Sequence, residues 1–104
     1  MQIQINTDKN ISGTTNLTNK LTEDLKNELK NFEDRVTRLE VHLSDQNAQK
    51  SGEDDIKCTI EARIEKLKPI AVTAYHSTIE QAVSLATDKL LAALNSALGK
   101  IKTY

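Results

Sequence analysis

Residues with special chemistry are scarce in this chain of 104, which has one cysteine, Cys58, and three scattered glycines. A single cysteine excludes an internal disulfide and is typical of a reducing compartment. Glycines this scattered form no phosphate-binding loop. The two histidines, His42 and His76, lie on different predicted elements without Cys or Asp at ligand spacing, so we predict no metal site.

Long apolar runs are lacking too. The first residues, MQIQINTDKN, contain no apolar stretch of signal-peptide length, and no segment approaches the ~20 apolar residues of a membrane span. The sequence shows no pattern of nucleophile, base and acid that predicts a catalytic site. We therefore expect one soluble domain over residues 1–104 in the cytoplasm, without membrane contact, catalysis, cofactor or small-molecule substrate.

The charge is nearly balanced overall but unevenly placed. The net charge is −1. The segment 44–55, SDQNAQKSGEDD, holds four acids and one Lys, so the remaining 92 residues carry a net +2. A mildly basic body outside one acidic loop permits an anionic partner without requiring one.

Helical spacing appears twice. Leu17, Leu21, Leu25 and Leu29 recur every four residues and Phe32 joins them, which predicts a helix from about Thr15 to Phe32, capped by Thr14 or Thr15. Ser77 and Glu80 have capping-box spacing and precede a second helix that runs towards the C-terminus. Its apolar stripe is Ile79, Val83, Ala86, Leu90, Leu94, Ala97 and Ile101.

Four segments alternate with period two, as half-buried strands do. The stretch FEDRVTRLEVHLSDQN changes from helical spacing to this alternation after Phe32. The apolar positions are Ile3 and Ile5; Leu39, Val41 and Leu43; Ile56, Cys58, Ile60, Ala62 and Ile64; and Ile70, Val72 and Ala74. The order β-α-β-β-β-α predicts a two-layer α+β sandwich in which strands 1 and 2 are parallel.

This order, together with the stretches MQIQINTD, FEDRVTRLEVHLSDQN, CTIEAR, LKPIAVTAYHSTIEQAVSLATDKL and LNSALGKI, resembles the ribosome hibernation promoting factor family, formerly called sigma-54 modulation proteins. The resemblance covers nearly the whole chain and is nearest to short members that lack a C-terminal dimerisation domain. It implies a four-stranded sheet with two helices on one face, similar to double-stranded RNA-binding domains.

The resemblance also implies a function. Members bind ribosomal RNA in the decoding region of the small ribosomal subunit and silence ribosomes in stationary phase or stress. Lys and Arg side chains release counterions when they meet phosphates, so several weak contacts add up. The positions that match basic family positions are Lys89, Arg35, Arg38, Lys26, Lys30, Lys68 and Lys100.

Structural roles compete with RNA contact at several of these positions. Lys26 and Lys30 also fit a solvated helix face, and Arg35 fits a role near the carbonyls of a helix end. Tyr75, opposite the core stripe of its strand, either stacks on a base or covers sheet surface.

Departures from the family motivate a second hypothesis. Leu91, Ala92 and Ala93 follow DKL where the family carries further basic residues, and three acids lie among the lysines of the first helix. In this second hypothesis the chain is a protein-interaction module that kept the fold and lost strong ribosome binding. Leu91 and Leu98 widen the apolar stripe of the last helix, so either the first helix covers them or a second copy does, as a weak homodimer.

Overall fold

The computed structural model describes residues 1–8, 11, 15–46 and 55–99. Its elements follow the predicted order and confirm the α+β class. They are β1 (Gln2–Thr7), α1 (Thr15–Glu28), a 3₁₀ turn (Lys30–Phe32), β2 (Val36–Asp45), β3 (Ile56–Ile64), β4 (Ile70–His76) and α2 (Ile79–Gly99).

The sheet has the spatial order β1-β2-β3-β4. β1 pairs with β2 in parallel, as the intervening helix predicts, while the two later pairs are antiparallel. The alternating apolar positions therefore line one face of the sheet. The polar positions between them line the opposite face, which both helices leave open.

Both helices cover the apolar face. α2 packs on β3 and β4, whereas α1 contacts β1 and α2. Leucines from α1 and α2 share one core with the inward side chains of the strands, among them Leu25, Leu39, Ile60, Leu90 and Leu94. The prediction of a four-stranded sheet with two helices on one face is confirmed.

A β-bulge adjusts the beginning of β2. Val36 pairs with Ile64 and Arg38 with Arg63, so the register shifts between Val36 and Arg38. An extra residue in one strand bends it and redirects its side chains. Val36 is consequently buried although strict alternation would put it on the open face with Arg38.

The first helix ends earlier than its apolar spacing predicts. α1 stops at Glu28, and residues Lys30–Phe32 form a separate 3₁₀ turn. The amide of Phe32 donates to the carbonyl oxygen of Leu29 at 2.9 Å, which is the tighter three-residue pattern. Phe32 thus stays against the core while the chain turns into β2.

The cap of α2 lies one residue later than predicted. The Thr78 hydroxyl oxygen accepts from the amide of Gln81 at 3.2 Å, and its Oγ1 donates to the side-chain oxygen of Gln81 at 3.0 Å. A Thr and a Gln three residues later fill the roles that the sequence assigned to Ser77 and Glu80. Both pairs have the same spacing, and the beginning of the helix at Ile79 selects Thr78.

The helices run side by side along the sheet. α2 has 21 residues, or about 31 Å at ~1.5 Å per residue, against about 23 Å for the seven residues of β4. It therefore extends past the beginning of β4. Neither helix in the described part of the chain has the length and apolar character needed to cross a membrane.

Candidate nucleic-acid interface

The structure does not gather the predicted cations on one surface. Lys26 and Lys89 lie on the helix layer, Arg38 lies on the open face of the sheet, and Arg35 and Lys68 lie in turns at one end of the sheet. Lys30 is in the 3₁₀ turn that leads to the same end. Lys100 lies outside the described residues.

Lys89, one of the predicted RNA contacts, lies against the edge of the sheet. Its ammonium Nζ donates to the carbonyl oxygen of Thr73 at 2.9 Å. β4 is an edge strand, so this oxygen lies where a further strand would pair. Lys89 therefore links α2 to β4, although its exposed position still leaves donor capacity for another partner.

The lysines of α1 are exposed but lie among acids. Lys20 Nζ lies 3.3 Å from an Asp24 carboxylate oxygen, one helical turn away. Lys26 and Lys30 are exposed, and Glu23 and Glu28 flank Lys26 along the same helix. The outer surface of α1 is consequently mixed in charge.

The groove between the helices is acidic. It has a volume of about 240 Å³, and the buried side chains of Leu21, Leu25 and Val83 form its base. None of the described residues that line it is basic. Four acidic residues from the two helices line it, namely Asp24, Glu28, Glu80 and Asp88. A continuous positive stripe across both helices, which RNA binding to the helix layer requires, is therefore not formed by the described residues.

Arg38 is held on the open face of the sheet. Its Nε donates to Glu40 Oε1 at 2.9 Å, and its two terminal nitrogens donate to the side-chain oxygens of Gln2 and Gln4. Gln2 and Gln4 lie on β1 and Glu40 lies on β2. In the pairing of these two strands Gln2 is directly beside Arg38. The hydrogen bond from Arg38 also lowers the pKa of Glu40. Three partners already fix the guanidinium, so Arg38 has a clear structural role.

Two turns meet at the end of the sheet where β2 begins and β3 ends. The amide of Glu65 donates to the carbonyl oxygen of Arg35 at 2.9 Å, which joins turn 33–35 to turn 65–68. Arg63, Lys66 and Lys68 are exposed there, and Arg35 is half-buried. We call Arg35, Arg63, Lys66 and Lys68 the turn-end cluster.

Sequence reasoning missed two members of this cluster, Arg63 and Lys66. A signal was present, because residues 63–68, RIEKLK, carry three cations and one acid. Only the pairing of β2 with β3 brings this segment to Arg35, and the pairing register is not legible from one strand alone.

The opposite end of the sheet carries acids. Asp8 follows β1, Asp45 ends β2 and Asp55 precedes β3. A carboxylate oxygen of Asp8 accepts from the amide of Asp45 at 3.2 Å, so two of these acids are neighbours. Asp45 and Asp55 belong to the acidic segment predicted at 44–55, of which residues 47–54 lie outside the described residues.

Other reactive groups do not form a site in the described ranges. Cys58 is fully buried, and burial raises the pKa of its thiol to about 12. It therefore behaves as a small apolar side chain of the core. No three His, Cys, Asp or Glu side chains of residues 1–8, 11, 15–46 and 55–99 gather as metal ligands. Tyr75 is 47% exposed beside the sheet edge, opposite the core as predicted.

Comparison with known proteins points to one family. The model of the family described as sigma 54 modulation protein / S30EA ribosomal protein matches residues 3–102. No curated protein sequence matches the chain.

Two solved structures share the fold. The N-terminal domain of Thermus thermophilus Protein Y superposes with a TM-score of 0.72 at 16% identity, over 92% of this chain and 98% of that one. A ribosomal subunit interface protein from Coxiella burnetii gives a TM-score of 0.68 at 17% identity, over 95% of this chain and 99% of the other. At these identities the similarity establishes the architecture.

Proposed function

The chain belongs to the sigma 54 modulation protein / S30EA ribosomal protein family, as its sequence predicted, and from this premise we propose that it is a ribosome-associated translation regulator. It binds the small ribosomal subunit through ribosomal RNA of the decoding region and inactivates ribosomes under stress or in stationary phase. The observation that carries this proposal is the family match over residues 3–102.

The structure supports the proposal through its charge distribution. Residues 33–35 and 63–68 carry four cations and three acids at one end of the sheet, whereas Asp8, Asp45 and Asp55 lie at the other end, so the charge is distributed unevenly along the sheet. Phosphate contacts need no base-reading geometry and suit a fixed RNA surface that is recognised by shape. The mechanism is occupancy, because a bound domain excludes mRNA and tRNA without catalysis. The family is not a known enzyme family.

Co-sedimentation tests the proposal. Purified protein is mixed with small ribosomal subunits and spun through a sucrose gradient at low salt. We expect the protein to move with the subunit and to dissociate as salt rises, since each phosphate contact contributes about 0.7 to 0.9 to the salt slope. A protein that stays at the top of the low-salt gradient refutes ribosome binding.

The site on the subunit needs a separate assay. Bound protein should compete with initiator tRNA and mRNA for the decoding region and should inhibit translation in a purified system. Binding to the subunit without such competition would place the protein elsewhere on the ribosome. We propose a cytoplasmic location as part of this function.

A second function has its own observation, the acidic groove between α1 and α2. Four carboxylates above an apolar base suit a basic segment of another protein better than an RNA phosphate. The domain then acts as a protein-interaction module. Glu28→Gln with Asp88→Asn separates the two functions, because it should weaken a basic protein partner but preserve or strengthen RNA binding.

The weak homodimer through α2 stays a prediction. Leu98 is 9% exposed and belongs to the core of the single chain, and Leu91 is half-buried against that core. The chain itself thus covers much of this side of α2. Light scattering at high concentration tests the dimer, and Leu91→Glu should weaken any dimer that is found. Leu98→Glu would instead place a charge in the core of the single chain and destabilise the fold. A monomer at all concentrations contradicts the dimer.

A further inference from the structure

We infer that the turn-end cluster, rather than the helix layer, is the main phosphate-binding surface of this protein, an inference that rests on the proposed ribosome binding. The cluster consists of Arg35, Arg63, Lys66 and Lys68. Its ligand is the phosphate backbone of RNA. Neither Arg63 nor Lys66 was among the positions that the family resemblance indicated.

The two turns that carry the cluster lie next to each other. The hydrogen bond of 2.9 Å between the Glu65 amide and the Arg35 carbonyl fixes the two turns against each other. The Thr37 hydroxyl donates to the carbonyl oxygen of Arg63 at 3.2 Å, which fixes the end of β3 beside the beginning of β2. Four cationic side chains therefore arise from one hydrogen-bonded corner of the sheet, and little ordering of the backbone is needed when they bind.

The Arg63 side chain is free to bind a phosphate because its ion pair within the protein is weak. Arg63 has one partner among the described residues, Glu61, at a long 3.8 Å, and both side chains are exposed. Such surface pairs are weak and yield to a better partner. By contrast, Arg38 has three partners and Lys89 donates to Thr73. The Arg63 side chain is thus less engaged than those of Arg38 and Lys89.

The helix layer, the competing surface, carries carboxylates that repel RNA phosphates. An RNA strand laid across both helices would pass over the groove lined by Asp24, Glu28, Glu80 and Asp88. Carboxylates repel phosphates, and the groove offers no described basic side chain to offset this repulsion. Exposed acids also lie near the cluster, at Glu33, Asp34 and Glu65, so residues 33–35 and 63–68 together carry four cations and three acids, whereas the groove carries four acids and no described cation.

The backbone of Lys66 has an unusual conformation. Its φ is +66°, the left-handed region that Gly and Asn adopt more easily than a residue with a long side chain. The amide of Leu67 donates to the carbonyl oxygen of Ile64 at 3.1 Å and closes the turn without using the Lys66 side chain. Residues held in such conformations are concentrated at functional sites. At Lys66 the side chain supplies an exposed positive charge.

Lys66→Gly gives a sharp test, because the variant removes the charge and relieves the backbone at once. We expect its melting temperature to equal or exceed that of the wild type. We expect its affinity for small ribosomal subunits to fall several-fold, with a salt slope smaller by about 0.7 to 1. Lys66→Gly with Lys68→Gln should lose about twice as much slope. Lys66→Arg, which keeps the charge and the strained backbone, should bind like the wild type.

Matched variants on the helix layer complete the experiment. Lys26→Gln and Lys20→Gln each remove one exposed charge from α1 and should change affinity and slope less than Lys66→Gly does. If the wild type binds and only the α1 variants weaken it, the helix layer is the contact and this inference is wrong. If Lys66→Gly and Lys66→Arg weaken binding equally, the charge is not the cause and the inference is again wrong. If the wild type itself fails to bind, the proposed function fails first.

Discussion

The ammonium of Lys89 lies 2.9 Å from the carbonyl oxygen of Thr73, so the last helix is tied to the edge strand of the sheet by a side chain first considered for RNA binding. A charged donor on an exposed edge carbonyl also discourages pairing with a further strand. This finding assigns Lys89 a structural role whether or not it also reaches RNA.

Lys89→Met should lower the free energy of unfolding by about 0.5 to 1.5 kcal/mol, the usual net contribution of one hydrogen bond. The variant keeps a long apolar stem and loses only the donor and the charge. Urea unfolding followed by circular dichroism measures the effect. Lys89→Arg, which keeps a donor, is the control, and equal stability of Lys89→Met and wild type would contradict the structural role.

The cap of α2 predicts different costs for two neighbouring hydroxyls. Thr78→Ala should cost about 1 kcal/mol of stability, because the amide of Gln81 loses its partner. Ser77→Ala should cost less, since the Ser77 hydroxyl lies outside the helix and contacts only exposed groups. Equal costs in thermal unfolding would show that the cap is shared between the two residues.

Glu40 should titrate below the ordinary Glu range. The hydrogen bond from Arg38 is the largest cause of its lowered pKa, and the charge of Arg63 is the smallest. A carboxyl whose pKa is lower in the folded state stabilises the fold above its ordinary pKa, about 4.3, and loses that contribution as pH falls through the folded value.

NMR titration of the Glu40 carboxyl checks this relationship in two variants. Arg38→Gln should raise the pKa of Glu40 clearly, whereas Arg63→Gln should raise it only slightly. A Glu40 pKa that does not move in Arg38→Gln would show that the hydrogen bond is not formed in solution.

Cys58 should react with thiol reagents only when the protein unfolds. Its side chain is fully buried between Ile60 and Ile56 along β3, and its thiol pKa is raised to about 12, so little thiolate exists at pH 8. We expect the labelling rate in native buffer to follow global unfolding and to rise steeply with urea. Fast labelling in the absence of urea would mean that β3 opens locally.

A substitution at the same position tests the packing. Cys58→Ser places a hydroxyl on the apolar face of the sheet, which should lower stability by about 1 to 3 kcal/mol. Cys58→Ala, which adds no polar group, controls for the lost sulfur, and the difference between the two variants isolates the polar cost.

The sequence by itself determined the elements and their faces. Each strand alternates with period two and each helix carries an apolar stripe, so the burial of Leu25, Leu39, Ile60 and Leu90 follows from local spacing. The order of elements and right-handed connection then predicted the parallel pair of β1 and β2. Local spacing was ambiguous where two patterns overlap, as at the cap of α2 and at the end of α1.

Tertiary structure decided which charges are neighbours. Whether Lys89 points at RNA or at Thr73 depends on how α2 lies along β4, and the acidic groove exists only because Asp24 and Asp88 come from helices packed side by side. Likewise, the pairing of β2 with β3 places Arg35 beside the turn that holds Lys66. Period and propensity depend on neighbours along the chain, whereas electrostatic energies depend on distances in space between residues far apart in the sequence.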